Sequence, residues 1–166
     1  MATSNASYLK TLHSAAQALG AKAIASDFTL EIEGFEQNYL LCKQMPWPQV
    51  SSAGEIEVPG PVGSVGWEAQ QVKVNHSGQV AFYETVAGSI DQMLVDLISS
   101  GGKFNAKIYA GTPQRFSSAK RITKCFLQID NPDCDWENRS QVLMFSGTMF
   151  FHYFGEILPG NASSPN

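Results

Sequence analysis

The residue types that carry chemistry are present in this chain, but their spacing rarely makes a site. Its three histidines, His13, His76 and His152, are far apart, and none has a second His or a carboxylate at metal-ligand spacing. Cys42, Cys125 and Cys134 form no CxxC, and an odd number of thiols suggests neither a disulfide framework nor a zinc knuckle. Cys42 and Cys125 lie in strand-like runs and read as small buried hydrophobes. The Gly60–Gly66 run, GPVGSVG, lacks the Lys-Ser/Thr ending of a phosphate-cradling loop and precedes a strand rather than a helix. No GxSxG elbow occurs, so no cofactor, metal or catalytic triad is expected, and the chain does not read as an enzyme.

Two carboxylate pairs, Glu31 with Glu33 and Glu55 with Glu57, have the i, i+2 spacing that puts both acids on one face of a strand. If buried, such a pair raises one pKa and does acid–base work. In an antiparallel sheet with one wet side, a solvated acidic face is the simpler reading. Trp47 between Pro46 and Pro48, and Trp67 after the glycine run, have two readings each. They either close the end of a barrel, or supply rigid apolar area to another protein.

Period-two alternation over Asp27–Glu33 sets Phe28, Leu30 and Ile32 on one face and Asp27, Thr29, Glu31 and Glu33 on the other. Asn38–Lys43 reads as its hairpin partner across a turn at Gly34–Gln37. Before them, Tyr8, Leu9, Leu12, Ala15, Ala16 and Leu19 predict a short N-terminal helix stopped by Gly20. A long punctuated connection runs from Gln44 to Gly66, broken by Glu55-Ile56-Glu57-Val58. Trp67–Asn75 alternates as a strand, His76–Gly78 reads as a turn, and Val80–Ser100 predicts one long helix with Val86, Ile90, Met93, Leu94 and Leu97 inward. Lys103–Ala110, Lys120–Asp130 and Ser140–Glu156 read as further strands, and Leu158–Asn166 as a flexible tail. The expected fold is mainly β: an antiparallel barrel or sandwich with one long helix and a short N-terminal one, a single domain over residues 1–157.

The 166 residues include 43% hydrophobic and only 16% charged, so disorder is excluded. A formal charge of -4, with no basic run longer than Lys120-Arg121, disfavours ordinary nucleic-acid binding. No apolar stretch is long enough to span a bilayer, and the first 26 residues lack the pattern of a signal peptide, which suggests a soluble protein made in a cytoplasm.

The order of these elements resembles the tail tube protein family of contractile phages, which also includes the inner-tube proteins of pyocins and type VI secretion. The resemblance rests on the opening helix, Phe28–Ile32, the turn into Tyr39–Lys43, the Pro46-Trp47-Pro48 loop, Glu55–Val58, Trp67–Val74, a single helix and the final run Phe150–Glu156. It implies a structural virion subunit, synthesised in a bacterial host's cytoplasm, that forms hexameric rings stacked into a tube. DNA would pass through the lumen without specific binding, and the partners would be further copies, a sheath, a baseplate and a tail terminator. Under that reading the 44–66 loop stacks rings, with Pro46, Trp47, Pro48, Glu55, Ile56, Glu57, Val58 and Trp67 in contact between subunits. Asp27, Glu31 and Glu33 would line a lumen that repels phosphate. The alternative expectation is a monomeric β-barrel holding a small apolar ligand behind the proline loop.

Overall fold

In a computed structural model describing residues 5–162, the chain begins with α1 (Ala6–Ala18). The Asn5 side chain accepts from the Tyr8 N–H, and Gly20 follows with φ +93°. Strand β1 (Phe28–Ile32) has the expected alternation, with Leu30 and Ile32 buried. The expected hairpin with Asn38–Lys43 does not form. β1 pairs instead with β6 (Phe104–Gly111), setting Leu30 opposite Ile108 and Ile32 opposite Ala106. Residues Glu36–Leu41 wind as a 3-10 helix, started where the Glu36 carboxylate accepts from the Gly34 N–H. The chain thereby crosses to the opposite edge of the sheet, where β2 (Cys42–Gln44) pairs with β5 (Asn75–Tyr83).

The helix is also shorter than the expected Val80–Ser100. His76–Gly78 is not a turn and Val80 does not begin a helix: all lie in β5, paired residue by residue with β8 (Met144–His152). The helix α2 is confined to Ser89–Ser99. Gly88, at φ +80°, breaks the chain before it, and the Glu84 carboxylate accepts from the N–H groups of Thr85, Ile90 and Asp91. The bonds to Ile90 and Asp91 satisfy donors that an α-helix leaves unpaired at its start. Ile90, Met93 and Leu97 turn into the core, whereas Val86 is fully exposed.

The main sheet runs β1-β6-β7-β8-β5-β2 and is not closed into a barrel, so the sandwich alternative fits and the barrel one does not. β7 (Phe116–Ile129) belongs to both halves, pairing β6 early and β8 late. The register breaks near Lys124, whose φ of +48° marks the bend and whose N–H donates to the Asn105 side chain at 3.2 Å. One core fills the space between the halves and α2, with Leu30, Phe82, Ile90, Ile108, Ile122, Cys125, Met149 and Tyr153 almost fully buried. That filled interior removes the premise of the apolar-ligand barrel. The segment expected to be loose is tied down at its start, because β9 (Ile157–Pro159) pairs with β7 and Asn161 bonds to Phe116. Residues 163–166 of that expected tail lie outside the described residues.

Candidate assembly surfaces

Of the residues proposed for subunit contact, the Pro46-Trp47-Pro48 group turns into its own chain. The Trp47 ring packs 4.9 Å from that of Phe28, and Pro48 is buried. Lys120, only 8% exposed, donates its ammonium to the Pro48 carbonyl and lies 4.5 Å from the Trp47 ring centroid. Burial lowers the Lys120 pKa from its ordinary value. Pro46 covers Gly78, where an added Cβ would meet the proline ring at 2.4 Å. Trp47 therefore packs within its own chain, on a sheet that is open rather than closed into a barrel.

Beyond Val50 the chain leaves the body. β3 (Glu55–Pro59) and β4 (Val65–Ala69) pair as an antiparallel ribbon, setting Glu57 opposite Trp67 and Val58 opposite Gly66. Bonds from Ala53 N–H to Gln71 O and from Lys73 N–H to Ser51 O extend the ladder to the base. The glycine run is its turn: the Ser64 hydroxyl donates to the Pro61 carbonyl, and Val62 and Gly63 take φ of +58° and +77°. Trp67–Asn75 is therefore mostly the returning arm rather than a core strand. From Ser51 to Asn75 every residue but Gly54 is exposed, including Ile56, Val58, Val65 and, at 70%, Trp67. The Glu55 and Glu57 pair stands in water, as the simpler reading had it.

Glu31 points away from the core on β1, Glu33 is exposed in the turn just after it, and Asp27 is exposed just before it. Glu31 is half-buried, faces Lys107 across the ladder and accepts from the Tyr109 hydroxyl at 3.2 Å. Burial, then the neighbouring Glu31 charge, pushes the Tyr109 hydroxyl up to about 12. Desolvation alone raises the Cys125 thiol to about 12, and it dominates for Cys42, so both are inert apolar fillers at neutral pH. His152 is half-buried and its Nδ1 is the one buried side-chain polar atom among the described residues without a partner.

Both ends of the main sheet are open. Among the described residues, β1 has no strand on its outer side, and β2 covers β5 only at Ala81 and Phe82. Sequence reasoning missed Lys120, a cation on the core face of β7, and the tip residues Val62 and Val65. The tip did carry a signal, since the glycine run lies between two short alternating segments, which is the pattern of a hairpin turn.

The sequence matches no family model and no curated protein. Solved structures do share the fold. One is a chain of the sheath-tube complex, in its extended state, of an extracellular contractile injection system, PVC. It is 12% identical with a TM-score of 0.57, over 87% of this chain and 97% of that one. Another, from the tube-terminating cap of the anti-feeding prophage, is 13% identical with a TM-score of 0.54, over 84% of this chain and 92% of that one. A chain of the PVC sheath/tube terminator is 12% identical with a TM-score of 0.56, over 84% and 99% of the respective chains. What this chain has in common with those particles is thus the fold, an open antiparallel sheet over one helix that spans nearly the whole length of each matched chain.

Proposed function

We propose that this chain is a structural subunit of a contractile-type tail, assembling as stacked hexameric rings into the tube through which DNA is delivered. The observation that carries the reading is the Ser51–Lys73 ribbon. It exposes Ile56, Val58, Val65 and Trp67 along almost its whole length. An isolated two-stranded ribbon is marginal in water, so one that projects apolar residues calls for a surface to lie on. In a ring stack that surface is the adjacent ring. Open edges at β1 and β5 suit lateral joining, because a heterologous edge contact repeated around an axis closes a ring.

Similarity to chains of sheath-tube, terminator and baseplate assemblies supports a place in such a particle, with sheath, terminator and baseplate as neighbours. Asp27, Glu31 and Glu33 are proposed for the channel wall, where carboxylates keep phosphate from binding. Negative-stain microscopy with light scattering tests the reading: six-fold rings or hollow tubes are expected. Deleting Ala53–Gln71 should leave folded subunits that no longer stack. Monodisperse single subunits at all concentrations, or tubes of normal length without the ribbon, overturn it.

A further inference from the structure

Helix α1 is amphipathic, yet none of its residues is buried. Leu9, Leu12, Ala16 and Leu19 form one stripe at helical spacing, with Tyr8 beside it, and Tyr8, Leu9 and Leu12 are each about half exposed. A 13-residue helix is marginal in water unless its apolar face is covered. On the same molecule an apolar groove of about 580 Å³ runs beside the open edge strand, lined by Ala23, Ile24, Phe28, Ala110, Phe116 and Ala162.

Charge points to the same pairing. The first 26 residues carry Lys10 and Lys22 and no carboxylate, whereas Asp27–Glu36 carries Asp27, Glu31, Glu33 and Glu36 and no Lys or Arg. Lys107 faces Glu31, and Glu33 and Glu36 line a separate hollow with Lys107 and Arg121, so the groove's own charges are Arg115 and the exposed Asp27. In its own chain, the linker lines the groove and the helix does not. Ala23 and Ile24 lie there, and the Asp27 N–H bonds back to the Ile24 carbonyl, fixing the turn from which α1 departs.

We propose that α1 is an exchange arm, which seats its Tyr8, Leu9 and Leu12 face in the β1 groove of a second copy of this chain. Lys10 then faces Asp27 of that copy, and the contact is heterologous, so each copy gives one helix and receives one. The inference rests on the assembly reading in requiring a second copy, and it moves Asp27 from the channel wall into the subunit contact, leaving Glu31 and Glu33 on the wall. It assigns the N-terminal segment, which the ribbon does not involve.

Disulfide trapping tests it in a Cys134→Ser background, since Cys42 and Cys125 are shielded. Full-length chains carrying Leu12→Cys are mixed with chains carrying Ser26→Cys, exposed to mild copper-catalysed air oxidation, and the linked peptides identified by mass spectrometry. The mixed pair is expected as the main covalent product. Adding Leu9→Asp to the Leu12→Cys chain should weaken association by about tenfold or more. Removing residues 1–19 should leave the subunit melting temperature unchanged, because nothing of α1 is buried. No mixed pair in preparations where rings are visible, while a control chain carrying both Leu12→Cys and Ser26→Cys closes the bond within itself, overturns the arm. A mixed pair without rings supports the arm and sinks the tube reading instead.

Discussion

The Lys120 ammonium sits 4.5 Å from the centroid of the Trp47 ring, inside the sheet, and donates to the next residue's carbonyl. One buried cation thus fastens the segment from which the ribbon departs. Lys120→Met keeps the stem's volume but leaves the Pro48 carbonyl unpaired. We expect a loss of about 1–3 kcal/mol in stability, read as a lower urea midpoint at unchanged slope.

Gly78 makes the same anchorage possible from the other side. A methyl group there would sit 2.4 Å from the Pro46 Cβ, so Gly78→Ala must lift the proline off β5. The expected cost is roughly 1–3 kcal/mol. Because Pro46 and Pro48 flank Trp47 in one short segment, the loss in the Gly78→Ala, Lys120→Met double variant should be smaller than the sum of the single losses, as measured by a double-mutant cycle.

The helical stripe of α1, the alternation of β1 and the long aromatic strand β8 were legible because each is a local pattern with a single period. The β5–α2 boundary was not. Val80, Phe82, Val86, Ile90 and Met93 contain spacings that fit a helix, and only the burial of Val80 and Phe82 among β8 neighbours decides for a strand. The pairing of β1 with β6 was hidden for another reason: a sequence-adjacent hairpin is the default, and only Glu36 folding back on Gly34 diverts the chain. The ribbon was half legible. Its acidic segment and its glycine run were both noticed, but the run was weighed as a phosphate loop and the return arm as a separate strand, because Val72 and Val74 alternate whether or not anything covers them.

Glu84 caps α2 from outside the helix. Burial pushes its carboxyl up, but the N–H groups of Ile90, Thr85 and Asp91 together hold it below the ordinary value of 4.5. A lowered folded-state pKa contributes stability that is present above the unfolded value and lost as pH falls through the folded one. Glu84→Gln should therefore cost about 1 kcal/mol near neutrality, the usual worth of a cap. The gap from wild type should close below pH 4.5, as followed by chemical denaturation across the acid range.

The two loop tryptophans should separate folding from assembly. Trp47 packs on Phe28 and under Lys120, so Trp47→Ala is expected to cost the subunit about 3–5 kcal/mol. Trp67 is 70% exposed on the ribbon, opposite Glu57, and its removal should move subunit stability by no more than about 0.5 kcal/mol. If the ribbon lies on an adjacent ring, Trp67 is its largest apolar anchor, and truncation should weaken stacking by about 2 kcal/mol or more, roughly thirtyfold in the association constant. Thermal melts of the single subunit and sedimentation of the assembled protein give the two readouts. Unchanged assembly in Trp67→Ala would move the stacking contact off this face of the ribbon, to the side bearing Ile56 and Val58.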